Sequence, residues 1–427
     1  MKRIASLFLA LLMLLGCASF AAAEEPVEIE YYFGLGGKLG DIFLGLAESF
    51  NASQSQYKIV PVQFASFNDA QKNYQAALAA GTAPALWQSQ RTRALNFVDY
   101  LEPLNDYYAN DAEFNADDIF AGAMSSAYAL DEETIIGVPV YASSQLMYYR
   151  IDAFEGYDVD YAFASYQNLA EVTAKIVADP NNNFTIGWIP MWHNDTWLEC
   201  VMSMGGGRYT DSTMKEVGFL DGRWAEVMTQ FQEWFQSGLM FTHSGGNGWE
   251  YWYKNIDEVM NGNACGYIGS PADMGDLDFT KIAAHTRPGW KDNDPQCVSE
   301  AHIMVMSKDV SNEQKAGAWE FIKYIGRPEN ASQITMVGGY LPVRNSTFED
   351  PEFKAYSETQ PAIAIGAEQM NMPSNQTIDI TGGYINTAIN DLVDNVLMND
   401  MDVEEALEIA YEEGQQALDD YWESVEE

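Results

Sequence analysis

Residues 185–197, TIGWIPMWHNDTW, set Trp188, Trp192 and Trp197 in one short stretch beside a proline, a histidine, an asparagine and an aspartate. An indole is a flat apolar surface with one N–H, so it can stack on the C–H face of a sugar ring while polar neighbours take the hydroxyls. The competing reading is a core cluster, the commoner fate of aromatic side chains. Pro190, His193, Asn194 and Asp195 interrupt the stretch, which follows neither the helical nor the strand period. Pattern alone therefore leaves both readings open.

Other chemistry is poorly supplied. Four cysteines, Cys17, Cys200, Cys265 and Cys297, and four histidines, His193, His243, His285 and His302, are scattered along the chain, and no spacing among them suggests a zinc site. No metal and no cofactor are expected. The sequence has no Ser-His-Asp signature, phosphate loop or HExxH motif, so no catalytic residue is nominated. With 63 Asp and Glu, close carboxylate pairs arise by chance, and none marks the dyad of a glycoside hydrolase, the reading from a different functional class. Against 22 Lys and Arg these acids give a net charge of −41. That charge repels phosphate backbones and excludes nucleic acid as a partner.

The elements that must position any site follow from periodicity. A length of 427 residues suits two large lobes. At the start, Lys2 and Arg3 precede an apolar run and then small residues, the layout of a secretory leader that is too short to span a membrane. LLGC ends a leader at residue 16, with a lipid on Cys17 and an extracellular protein anchored at the cell surface; alternatively, cleavage after Ala23 makes residues 1–23 the leader of a secreted or periplasmic soluble protein. Cys200, Cys265 and Cys297 then remain, an odd set that reads as buried small apolar side chains, with one bridge as the alternative.

VEIEYYF (27–33), YKIVPVQF and APALWQSQ read as strands, and the stretches between them as helices, the second ending at Gly81. Strand and helix in alternation predict a parallel, doubly wound α/β sheet, with ligands at the carboxyl ends of its strands. The loops after Phe33, Phe67 and Trp87 are thereby candidates. TIIGVPVYASSQLMYYR (134–150) is a long β-rich run, able to leave one lobe and enter another. Helices are expected at Tyr166 to Ala178 and Gly222 to Ser237, strands at ACGYIGSP and CVSEAHIMVM, and a Ser/Gln-capped helix at SNEQKAGAWEFIKYIG. An acidic amphipathic helix closes the chain.

Three stretches, GKLGDIFLGLAESFNASQSQYKIVPVQF, IIGVPVYASSQLMYYRIDAF and AWEFIKYIGRPENASQITMVGGYLPVRNS, resemble in order and spacing the extracellular solute-binding proteins of ABC importers. Within these, the carbohydrate-binding group that includes the glycerol phosphate binding proteins is the most similar. The resemblance implies a two-lobed periplasmic-binding-protein-like fold with a ligand cleft between the lobes. The first lobe would hold residues 27–140 and 297–342, the second 141–296 and 343–427. It implies a monomer that delivers a carbohydrate, a small oligosaccharide, to the permease subunits in the membrane. A glycerophospho compound or a cationic metabolite is the alternative.

The resemblance also places residues. It puts the tryptophan stretch on the second lobe's cleft wall, which favours a platform role for Trp192 first, Trp197 second and Trp188 third. Tyr340 in GGYLP matches a cleft tyrosine. Phe67-Asn68 stand where the glycerol phosphate binders carry a Tyr-Glu pair, and Asp379 falls near the position of their phosphate arginine; both departures count against phosphate. Ser270 stands where some relatives have an aromatic platform, and Glu300 replaces small residues. Tyr32 and Phe33 end the first strand at the cleft, one of them necessarily pointing into the core. Ser143 and Ser144 lie on the crossing, where a hydroxyl serves either hinge or ligand.

Overall fold

The structure is a computed structural model that describes residues 25–191, 193–244, 250–372 and 377–426. Its strands are β1 (Val27–Phe33), β2 (Tyr57–Gln63), β3 (Leu86–Gln90), β4 (Val138–Ser144), β5 (Leu146–Arg150), β6 (Gly266–Gly269), β7 (Ile282–His285) and β8 (Ser299–Met306). Two sheets result, one ordered β2-β1-β3-β8-β4 and one ordered β6-β5-β7. The principal helices are α1 (Gly37–Ser53), α2 (Phe67–Ala80), α3 (Tyr166–Ala178), α4 (His193–Ser203), α5 (Arg223–Gln236), α6 (Glu250–Met260), α7 (Asn312–Ile325), α8 (Pro328–Gly338), α9 (Pro361–Met370), α10 (Tyr384–Val393) and α11 (Val403–Glu426).

Local chemistry explains where helices begin and end. At the start of α2 the Ser66 hydroxyl accepts from the Asp69 N–H, and at its end Gly81 takes the left-handed conformation, φ +70°. Ahead of α7, Ser311 accepts from the Gln314 N–H while the Gln314 side chain takes the Ser311 N–H, the reciprocal pair that the Ser/Gln pattern predicts. Each sheet has its own core. Ile29, Tyr31, Phe33, Phe43 and Phe321 pack on the first sheet, whereas Trp188, Trp197, Trp224, Phe231 and Trp290 form the core beside the second.

Two expectations are revised. The first sheet is not parallel throughout: β1 pairs in parallel with β2 and β3, but β8 is antiparallel to both β3 and β4. The reason is topological, since β8 returns from the second lobe and so enters the sheet at the end where β3 and β4 leave it. The crossing is also later than residue 141. β4 stays paired with β8 to Ser144, β5 pairs with β6 and β7 from Leu146, and Gln145 alone lies between them. Cys200, Cys265 and Cys297 are buried and unbridged. Cys17 and the whole leader lie outside the described residues.

Candidate functional site

The carboxyl end of β3, the first residues of β8 and the last of β4 meet where the first sheet faces the second lobe. Register sets Gln90 beside His302 on one side of β8, with Tyr141 on the other, and Ser143 opposite Glu300. Strand alternation sends Glu300 and His302 to the same face. Gln90 Nε2 donates to Glu300 Oε2 at 2.9 Å. Arg93, on the short helix after β3, donates from Nε to Gln90 Oε1 at 3.0 Å and from Nη1 to Asn68 Oδ1 and Gln71 Oε1 at 2.7 and 2.8 Å. A row of rings lies beneath: Phe67 to His302 at 4.9 Å, His302 stacked on Tyr141 at 4.5 Å, and Tyr141 to Tyr340 at 5.0 Å.

The second lobe contributes Asp195 and Arg208. Asp195, in the first turn of α4, accepts from Gln145 Nε2 at 2.8 Å. Arg208 is buried, with Nε on Asn386 Oδ1 at 2.8 Å and Nη1 on the Thr377 carbonyl at 2.5 Å. The two lobes feel each other's charges. Burial pushes the Glu300 carboxyl up to about 7, Asp195 adds to the rise, and Gln90, Arg93 and Arg208 oppose it. Asp195 is raised as well, by burial first, against Arg208 and Gln145. A cavity of about 60 Å³ between the lobes is lined by Ser126, Ser299 and Glu300 of the first and Ile378 of the second.

One pH effect follows. A carboxyl whose pKa rises on folding, here from 4.5 to about 7, binds its proton more tightly in the folded chain. Its stabilising contribution is complete below pH 4.5 and is lost as the pH climbs through 7. Thermal melts of the ligand-free protein are expected to fall less between pH 5 and pH 8 in Glu300→Gln than in the unsubstituted chain. Parallel profiles for the two proteins would contradict this assignment.

The structure separates the sequence-predicted residues into groups. Glu300, Phe67, Asn68, Tyr340 and Ser143 lie along the first-lobe side of the cleft, with Glu300, Phe67, Tyr340 and Ser143 half-buried and Asn68 exposed. Trp192 lies outside the described residues. Trp188 and Trp197 are fully buried, which corrects the platform expectation for both. Trp188 meets Phe163 edge to face at 5.5 Å and lies so close over Gly266 that a methyl there would overlap its ring. Trp197 packs on Phe231 at 5.2 Å. The cause is α4 itself: Trp197, Leu198, Cys200 and Val201 are all buried, so the indole shares the helix's inward side while Asp195 takes the cleft.

Phe33 is likewise a core side chain, stacked on Tyr31, because β1 turns its odd-numbered residues inward; Tyr32 is half-buried against Phe64. Ser144 serves the hinge, giving its proton to the Val298 carbonyl at 3.3 Å and accepting from Gln369 Nε2 at 2.6 Å. Ser270 caps the short helix at Pro271–Gly275. Asp379 organises its own loop, accepting from the backbone N–H groups of Thr381 and Asn386 at 2.9 and 2.8 Å. Sequence reasoning passed over Gln90, Arg93, Asp195, Arg208 and His302 as site residues. Strand-end position was the available signal for Gln90, and rarity among 22 basic residues the one for the arginines.

A profile of the family described as bacterial extracellular solute-binding protein matches residues 45–361. The chain is 25% identical over 434 aligned positions to the sn-glycerol-3-phosphate-binding periplasmic protein UgpB of Escherichia coli strain K12, covering 95% of each. Its fold is similar to that of the sugar-binding protein MalE from Xanthomonas citri, with a TM-score of 0.79 at 18% identity, covering 94% of this chain and 100% of that one. UgpB from Mycobacterium tuberculosis, solved in complex with glycerophosphocholine, is similar with a TM-score of 0.69 at 16% identity, over 92% and 98% of the two chains.

Proposed function

The chain belongs to the bacterial extracellular solute-binding protein family, and from that premise we propose that it captures a carbohydrate, a small oligosaccharide, and delivers it to the membrane permease of an ABC importer. It acts by binding, as a monomer, and is held at the cell surface through a lipid on Cys17. The observation that carries the ligand class is that two carboxylates, Glu300 from one lobe and Asp195 from the other, share one cleft with Arg93 and Arg208. Planar groups of this kind bind hydroxyls in pairs, the carboxylates accepting and the guanidinium donating. Half-buried Tyr340 and Phe67 supply apolar surface for a ring.

A phosphate would meet the same two carboxylates as repulsion. One feature favours the second reading, a glycerophospho compound: Arg208 spends Nε and Nη1 on protein acceptors, and among the described residues no acceptor takes its Nη2, which leaves that nitrogen for a phosphate oxygen. Relatives named for glycerol 3-phosphate and glycerophosphocholine are consistent with it.

The readings separate in a thermal-shift screen with maltose, maltotriose, other mono- and oligosaccharides, sn-glycerol 3-phosphate and glycerophosphocholine. A true ligand at a hundred times its Kd stabilises the fold by about 2.7 kcal/mol. Stabilisation by a sugar is the expected result, and stabilisation by the phosphoesters alone would overturn the carbohydrate assignment.

A further inference from the structure

His302 is only 8% exposed, and its Nδ1 is buried with no hydrogen-bond partner among the described residues. Tyr141 stacks on the imidazole at 4.5 Å with an interplanar angle of 16°, and Phe67 lies at 4.9 Å. With Tyr141 stacked on it and Phe67 tilted at 37° beside it, the ring keeps its edge nitrogens for polar contact. That edge belongs to a side chain on the same face of β8 as Glu300, in register with Gln90, whose amide holds the Glu300 carboxylate. A buried polar atom without a protein partner is costly. A phenylalanine would fill the same stack without that cost.

We propose that His302 is a solute contact, offering its imidazole edge beside the Glu300 carboxylate to a hydroxyl of a sugar ring and so favouring a hydroxyl over a phosphate group at that point of the cleft. This rests on the carbohydrate reading above. Burial, reinforced by Arg93, pulls the imidazole down to about 3, so the ring is uncharged at working pH. An uncharged imidazole has one donor and one acceptor. A hydroxyl both gives and takes, so it matches either nitrogen; an ionised phosphate group only accepts, so it matches the N–H alone, and it brings its charge towards Glu300 and Asp195. The charged group that acts on the imidazole is Arg93, on the short helix after β3; Glu300, on the same face of β8, is in turn acted on by Arg93 and by Asp195 and Arg208 from the second lobe. None of them gives His302 a hydrogen bond at Nδ1.

The test uses the full chain and the sugar that stabilises it best in the screen. His302→Phe, which keeps the ring stack, is expected to weaken sugar binding about tenfold by calorimetry, and His302→Gln, which restores an amide donor and acceptor, to recover part of the loss. In the unsubstituted protein, the imidazole NMR signal of His302, identified by its absence from the variants, is expected not to titrate between pH 5 and 8 and to shift on saturation with that sugar. Equal sugar affinity in His302→Phe together with an unmoved imidazole signal would overturn this inference and leave the carbohydrate reading standing. If His302→Phe does not fold, the imidazole signal decides, a shift supporting the contact and no shift refuting it. A chain that binds glycerophosphocholine and no sugar, or no sugar at all, overturns both.

Discussion

Trp188→Ala and Trp197→Ala are each expected to cost about 3–5 kcal/mol of folding stability, the loss typical of a large aromatic removed from a packed core. Both indoles are fully buried, one over Gly266 and against Phe163, the other against Phe231. Neither ring presents a face to the cleft, so the fraction that does fold should bind solute with near-native affinity. Denaturant titration of each variant beside a binding isotherm checks the two halves together. Near-native stability with binding lost would show instead that an indole swings out to grip the ligand, and would reverse the assignment of both to the core.

A loss of similar size is expected at the buried ion pair behind the cleft. Arg287 Nη2 lies 2.6 Å from Glu199 Oε2, with side-chain exposures of 0% and 2%. Tyr166 OH accepts from the same guanidinium nitrogen at 2.9 Å, and Glu199 Oε1 accepts from the Val298 N–H at 2.6 Å. Burial pushes the Glu199 carboxyl up, and Arg287 offsets part of that rise. Glu199→Gln strands the guanidinium without a counter-charge, for which about 3–5 kcal/mol of destabilisation is the usual consequence. The double substitution Glu199→Met with Arg287→Met should regain most of the loss, because two apolar side chains of similar volume carry no desolvation penalty. Urea midpoints for the two singles and the double decide it; simple additivity would mean that the groups do not act as a pair.

How much of this was legible beforehand depended on how local the cause was. The bounds of β1 and of α3 coincide with the residues the sequence nominates, because alternation, helical spacing and caps are written within a few positions. The crossing at Gln145 was not legible. TIIGVPVYASSQLMYYR is one unbroken β-rich run, and only pairing with β8 on one side and with β6 and β7 on the other divides it. The cleft charges were hidden for the same reason. Asp195 and Glu300 are more than a hundred residues apart, and nothing near either one announces the other. The tryptophans show the opposite failure: the resemblance favoured a ligand surface, while the inward side of α4 took Trp197 and the packing over Gly266 and against Phe163 took Trp188. Glu300, Tyr340, Phe67 and Asn68 were nominated through the resemblance, which carries a position in the fold even where the residue at that position has changed.

Gln145 stands alone between two strands of different sheets. A link of one residue has just two soft torsions, so the lobes cannot slide, twist and part as independent movements along this strand. Its amide holds Asp195, and its carbonyl accepts from Gln369, which also holds Ser144. The side chain that holds the cleft carboxylate and the joint between the two sheets are thus a single mechanical part. For a membrane partner that met only the outer rims, the angle between the lobes would be the whole of the message: it would report that something is held, while the identity of the cargo stayed private to the cleft.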